Sequence, residues 1–380
     1  MPQTLGDPAN YALQYYRMIN MKKTILLLLI LFSLVILFLG LNSNGASLIV
    51  KERQRGVSWV AGHESVLKED FLPLVKNHVN WIVQTPFGWQ REFNSPAIRM
   101  ATDGRVMWGE RDAGLETTTR LAKQLGIKTL LKPHIWMRPS STGKWRSDIE
   151  MGSEEDWQSW FGDYREFILH YAKFAKKNGI EALCIGTELH QTAVKREKEW
   201  REIISEIRQV YDGKLTYAAN WYREFEEIKF WNELDFIGIQ AYFPLAKKEN
   251  PTLEELKSGW LSHMEAIEEV SKKYNIPVVF TEIGYRSDAN AAIRPWEWPA
   301  RRSREMASGQ DLQTQANCYE AFFQVFWGKE WVAGAYFWKW FPKRRNSDHH
   351  DKRFTPQGKP AEQVMAKWYS LSNNQPAKAN

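Results

Sequence analysis

Cysteine is scarce: only Cys184 and Cys318 occur in 380 residues. Cys184 lies inside an apolar run and Cys318 on a helical pattern, so two buried thiols are expected. A bridge between them would need Cα atoms within about 7 Å. Also missing are a Gly-rich phosphate turn after the first apolar run, any zinc-ligand spacing and any Ser-His-Asp arrangement. Their absence removes the usual sequence grounds for a bound nucleotide, a metal or a serine nucleophile. His349 and His350, between Asp348 and Asp351, are adjacent histidines in a charged loop, without the fixed geometry and supporting shell that a metal site requires. No cofactor and no metal are therefore expected. The formal charge of +6 is modest and local, gathered at Lys343–Arg345, at Lys352 and Arg353, and at Arg301, Arg302 and Arg304. No basic stripe follows a helix, so nucleic acid is not an expected partner. These clusters read as solvated faces, with anionic lipid or an acidic glycan as a lesser option. Internal repeats, low-complexity linkers and a second domain are lacking too, and a monomer is expected.

What the chain does have is aromatic residues. Nineteen tryptophans and 14% aromatic content exceed what core filling needs, so those at strand ends and in loops call for another reason. The second conspicuous feature is Ile25–Leu41, nearly all Leu, Ile, Val and Phe, opened by Lys22 and Lys23 and free of acidic residues. That is the pattern of an export signal (residues 21–46) or of a membrane anchor through residues 25–41. No cysteine follows it, which argues against a lipoprotein. Only Ala46 offers a plausible cleavage position, so cleaved and anchored forms both stand. Residues 1–20 carry no pattern, and Met21 has the look of the natural start. The expected location is extracytoplasmic: secreted, periplasmic or anchored. From Ser372 onward, residues 372–380 read as a disordered tail.

Residues 51–371 alternate apolar runs with amphipathic helices. The runs are Gly56–Val60, Val79–Thr85, Ile127–Trp136, Ala182–Glu188, Leu215–Trp221, Phe236–Phe243, Ile276–Glu282 and Val332–Trp338. Helix patterns fit Ser65–His78, Leu115–Gly126, Asp163–Gly179, Lys195–Tyr211, Glu224–Glu233, Leu253–Lys273, Leu312–Trp327 and Ala361–Leu371. Eight such units predict an α/β fold of the (β/α)8 TIM barrel type, in one domain. A doubly wound open sheet is the alternative. A barrel places its functional groups at the carboxyl ends of its strands. Those ends carry Trp59, then Phe87 and Trp89, His134 and Trp136, Glu188 and His190, Asn220 and Trp221, Gln240 and Tyr242, Glu282 and Tyr285, and Trp338 and Trp340.

Two of these ends carry glutamate, on the fourth and seventh runs, which face each other across a barrel mouth. Two carboxyl groups flanking a glycosidic oxygen can divide the work of hydrolysis, one giving a proton and the other attacking or activating water. Sugar C–H faces stack on aromatic rings, and His134, Asn220 and Gln240 could bond the hydroxyls. An aromatic cleft on an exported barrel points to a β-linked polysaccharide or oligosaccharide.

Gly186-Thr187-Glu188-Leu189, Asn220-Trp221, Gln240-Ala241-Tyr242 and Thr281-Glu282-Ile283-Gly284 resemble a retaining glycoside hydrolase of clan A. The loop Arg294-Pro295-Trp296-Glu297-Trp298 and Tyr336-Phe337-Trp338 make the chain most similar to the family 113 β-mannanases, from Arg55 to Trp340. The resemblance implies Glu188 as general acid/base, Glu282 as nucleophile, Tyr242 as a hydrogen-bond donor to Glu282, and Trp338 as the platform under the sugar at the cleavage point. It also implies a mannan-type substrate and endo-action on β-1,4 links. Trp59, Trp136, Trp221, Trp296 and Trp298 complete the expected binding set with His134, Asn220 and Gln240. One departure stands out: Thr187 occupies the position where most of the clan has Asn, so Asn220 or His134 would take over the contact to the sugar 2-hydroxyl. The alternatives are an exo-β-mannosidase, another clan A β-glycanase, or a non-catalytic, membrane-tethered glycan-binding barrel.

Overall fold

The apolar runs become strands because nothing in them tolerates water: Ala182–Thr187 and Val278–Ile283 are buried at every position. A strand buried on both faces belongs to a parallel sheet covered by helices. In a computed structural model of the chain, which describes residues 21, 50, 52–138, 143–298, 311–343 and 353–371, eight such strands close into a parallel barrel. In chain order they are β1 (Gln54–Trp59), β2 (Trp81–Gln84), β5 (Lys128–Leu131), β7 (Ala182–Thr187), β8 (Lys214–Asn220), β9 (Phe236–Gln240), β10 (Val278–Ile283) and β11 (Val332–Trp340). Each pairs with the next, and β11 returns to β1. This is the (β/α)8 TIM barrel, formed by the compact unit Leu48–Asn380. The suspected start-site segment 1–20, the apolar run 25–41, the 372–380 tail, Arg301, Arg302 and Arg304, and the pair His349 and His350 lie outside the described residues. Among the described residues no helix is long and apolar enough to cross a membrane.

The third run departs from the single strand Ile127–Trp136. It divides at Lys132 and Pro133, because proline has no N–H to give the ladder. Lys128–Leu131 stays in the barrel, while β6 (His134–Met137) turns out to join β3 (Phe87–Gln90) and β4 (Ile98–Met100) in a separate three-stranded sheet. That sheet stands at the barrel mouth and carries His134 and Trp136 with it.

Helix boundaries differ from the pattern-based ones where caps or breakers intervene. The helix expected from Asp163 begins at Glu154, since Ser153 accepts a hydrogen bond from the Asp156 N–H at 3.1 Å and three acidic residues occupy its first turn. It stops at Gly179, whose φ of +61° suits a residue without Cβ. The expected helix Ser65–His78 shrinks to a 3-10 turn, Lys68–Phe71, and a short helix, Leu72–Lys76. Lys195–Tyr211 breaks at Arg196 into His190–Lys195 and Glu197–Val210, and Glu224–Glu233 keeps only Glu224–Glu227 before a 3-10 turn at Trp231–Glu233.

The space between barrel and helices is filled by rings. Trp200 lies edge-on to Tyr217 and stacked with Phe230, and Trp260 meets Phe280, Phe322 and Phe326. Much of the tryptophan excess is consumed here. Cys184 and Cys318 are buried, free thiols.

Candidate active site

Both glutamates sit where the ladder is irregular. The register between β7 and β8 slips between Cys184 and Thr187, and Glu188 follows with φ of +52°, a left-handed conformation that costs a non-glycine residue of order 1–3 kcal/mol. Two bonds hold it there: the Glu188 N–H donates to the Ala218 carbonyl at 2.9 Å, and the Leu189 N–H donates to the Tyr217 hydroxyl oxygen at 2.8 Å. On β10 the registers with both neighbours slip around Phe280–Ile283. Bulges of this kind re-aim side chains at barrel rims, and here both turn a carboxylate toward one cavity.

The two carboxylates have different partners. Glu282 accepts from the Lys132 ammonium at 2.5 Å on one oxygen and from the Tyr242 hydroxyl at 2.8 Å on the other. Lys132 also donates to Gln240 Oε1 at 3.2 Å, and Thr281 Oγ1 donates to the same atom at 3.0 Å. Burial alone would raise the Glu282 carboxyl, but the Lys132 charge and the bonds from Lys132, Tyr242 and Gln240 outweigh it and hold the group below its ordinary value. Glu282 is therefore an anion at neutral pH.

Glu188 faces Arg146, whose Nε donates to Oε2 at 3.0 Å. The same guanidinium reaches His134 Nδ1 through Nη1 at 3.2 Å and lies over the Trp145 ring at 4.8 Å. A guanidinium only donates, so His134 Nδ1 is the acceptor and Nε2 carries the proton. Burial, with the charges of Lys132 and Arg146, pushes the His134 pKa well down, so the ring is neutral. Its Nε2 is buried with no protein partner. An N–H without an acceptor at a cavity wall is a ready donor for a hydroxyl oxygen.

The cavity measures about 720 Å³ and is lined by Glu188, Glu282, Tyr242, His134, Trp136, Asn220, Trp221, Gln240, Trp296, Trp298 and Trp338. Those are all of the residues expected from the sequence except Trp59. The Trp59 side chain is 4% exposed and stacks on Phe71 with ring centroids 4.4 Å apart, so it is a core residue, turned away from the mouth. Gln240 changes its part as well: its carbonyl serves Lys132 and Thr281, which makes it a support for Glu282. Trp296 stacks on Trp221 at 5.2 Å, and Trp298 lies against Phe354 at 5.2 Å.

Lys132, Arg146, Trp145, Tyr222 and Phe354 were not singled out from the sequence. A trace of Lys132 was there, as a cation in the middle of the run Ile127–Trp136 that would need a buried partner. Arg146 and Phe354 come from connecting segments, where no periodicity points to the mouth.

A third carboxyl lies behind the site. Glu224, fully buried, accepts from the Tyr217 hydroxyl at 2.5 Å and from the Asn220 N–H at 2.6 Å. Burial pushes its pKa up from 4.5 to about 8, against the pull of those two bonds. Tyr217 thus links Glu224 to Leu189, the residue that follows Glu188.

Comparison with known proteins identifies the family. The sequence profile of Glycoside Hydrolase Family 113 matches residues 61–359. The structure of a family 113 β-mannanase from Alicyclobacillus acidocaldarius, in complex with ManMIm, is 29% identical, with a TM-score of 0.72 over 84% of this chain and 97% of that one. A family 113 β-1,4-mannanase, solved as a complex, is 27% identical with a TM-score of 0.69, over 84% of this chain and 99% of that one. A β-glucuronidase from Ruminococcus gnavus, 15% identical with a TM-score of 0.54 over 84% of this chain and 49% of its own, shares the fold alone. No functionally curated protein sequence matches the chain.

Two outcomes follow from the charges. Lys132→Met leaves Glu282 as an uncompensated buried anion and lowers the unfolding free energy by about 3–5 kcal/mol, while Lys132→Met/Glu282→Gln recovers most of that loss. Denaturant titration of both variants measures it, and additive losses would contradict the coupling. Glu224, with its pKa raised, keeps in the folded state a proton that the unfolded chain releases. Its contribution to stability therefore falls as pH rises from 4.5 toward about 8. Glu224→Gln cannot ionise, so its melting temperature declines less across pH 5–8 than that of the parent. An unchanged slope would remove the assignment.

Proposed function

The chain belongs to glycoside hydrolase family 113, and on that premise we propose that it is a retaining, endo-acting β-1,4-mannanase. The observation that carries this reading is the unlike partnering of two glutamates on one aromatic-walled cavity: Glu282 with Lys132 and Tyr242, Glu188 with Arg146. An anion held ionised is suited to attack the anomeric carbon. The second carboxyl, fixed in direction by Arg146 Nε and lining the same cavity, is the other group there able to carry a proton.

The steps are those of double displacement. Glu282 attacks the anomeric carbon as Glu188 protonates the departing glycosidic oxygen, leaving a glycosyl ester on Glu282. Glu188, now ionised, takes a proton from water, and that water displaces Glu282 with net retention. Lys132 and Tyr242 stabilise Glu282 as its charge returns in the second step. Trp338 offers the ring on which the sugar stacks, while the His134 Nε2–H and the Asn220 side chain are the polar groups available to sugar hydroxyls. With Thr187 in place of the clan's usual Asn, we assign the 2-hydroxyl to His134, whose buried Nε2 has no protein partner.

The mannan assignment draws support from the two family 113 structures described as β-mannanases. Endo-action agrees with a cavity walled by tryptophans on several loops. We also read the enzyme as exported, on the strength of the run Ile25–Leu41 behind Lys22 and Lys23.

Incubation with soluble β-1,4-mannan and size separation of the products tests the substrate: a spread of oligosaccharides at early times is expected. Release of single terminal sugars would convert the reading to an exo-mannosidase, and no shortening would end it. Glu282→Ala is expected to lower turnover by more than about a thousand-fold, with azide restoring it and yielding the inverted glycosyl azide. A variant as active as the parent would discard the nucleophile.

A further inference from the structure

The three-stranded sheet at the mouth has two faces of opposite character. On one, a Cβ at Gly88 would lie 3.0 Å from Phe167 and 3.2 Å from Ile98, Gln90 Oε1 accepts from Trp160 Nε1 at 2.9 Å, and Ile135 and Met137 are buried. That face is packed on the helix Glu154–Asn178. Side chains alternate along a strand, so the other face carries Phe87 and Trp89 from β3 and His134 and Trp136 from β6, paired Phe87 with His134 and Trp89 with Trp136. Phe87, His134 and Trp136 all line the catalytic cavity, and Trp89 continues their face without lining it.

Trp89 is 39% exposed, although its ring touches Trp136 at 6.4 Å and Phe87 at 6.3 Å. Trp136 in turn meets Trp145 at 5.8 Å, so the ladder of rings runs from inside the cavity out to Trp89. Across the antiparallel pair β3–β4, Arg99 stands directly opposite Trp89 and shares its face, also exposed. A half-exposed indole beside a guanidinium offers an apolar ring for a sugar face and donors for its hydroxyls.

We propose that Trp89, flanked by Arg99, is an outer sugar-binding platform that holds β-linked hexose chains too long to fit within the cavity. This inference rests on the glycan-hydrolase reading of the site and deepens it. It makes the β3–β6 wall the path along which the polysaccharide runs, and it gives the enzyme a preference for long substrates.

The test compares Trp89→Ala with the parent on soluble β-1,4-mannan and on mannotetraose. The ratio of kcat/KM on polymer to that on mannotetraose is expected to fall roughly three- to ten-fold, equivalent to about 0.7–1.4 kcal/mol for one ring–sugar stack. Trp89→Phe keeps a ring and retains most of the ratio. An equal loss on both substrates, or an unchanged ratio, overturns the proposal. Affinity electrophoresis of the Glu282→Gln protein through gels containing β-mannan, cellulose derivatives or xylan reads binding without hydrolysis. Retardation that Trp89→Ala weakens supports the platform, and retardation indifferent to Trp89, or none in any gel, overturns it. A parent that degrades mannan with no change in ratio fails this inference alone, whereas a parent inert on mannan fails the substrate reading first.

Discussion

Lys132 and Glu282 face each other 2.5 Å apart with side chains 0% and 6% exposed, and the rest of the site is arranged around that contact. Removing two charges from water costs several kcal/mol for each, and their attraction offsets this only with good geometry and further hydrogen bonds. Gln240 and the Thr281 carbonyl complete the coordination of Lys132, and Tyr242 completes that of Glu282. The ends of three barrel strands, the adjacent β9 and β10 and the distant β5, are thereby tied at the mouth by a single polar cluster. The split of the third run at Pro133 belongs to the same constraint, because it ends β5 just as Lys132 turns inward. A hydrophobic pair would fill the space equally well. What the ion pair supplies is an anion that stays an anion inside a cavity walled largely by rings.

Glu188 is held by other means. Its left-handed backbone is fixed by strand β8 through Ala218 and Tyr217, and its carboxyl by Arg146. Arg146 also settles the tautomer of His134, so one guanidinium orients both a carboxyl and the donor beside it. Behind them Glu224 anchors Tyr217 and the Asn220 backbone. The wall of the cavity on this side is thus supported by a buried acid that acts through Tyr217 and the Asn220 backbone.

The barrel was legible because each strand is a short apolar run bounded by helical sequence, and burial on both faces leaves little else for such a run to be. The glutamates were legible because their position on the run, at its carboxyl end, already fixes the face of the barrel they reach. Trp59 misled for the reason the others succeeded: it too ends a strand, but its ring turned toward Phe71, and one residue of register decides between core and mouth. Arg146 and Phe354 were invisible, since loops set their positions through contacts distant in sequence. Lys132 was hidden by its own surroundings, an interior residue of the run Ile127–Trp136 whose partner lies on the far side of the barrel.

Reaction with a 2-deoxy-2-fluoro-β-mannosyl donor bearing a reactive leaving group, followed by mass analysis of the digested protein, tests the centre of this account. The fluorine slows both steps, and the good leaving group lets the first outrun the second, so an ester intermediate accumulates. The account predicts one fluoromannosyl unit on the peptide that contains Glu282, absent from the Glu282→Ala protein. A label on Glu188, or turnover with no label and inverted product, would contradict it.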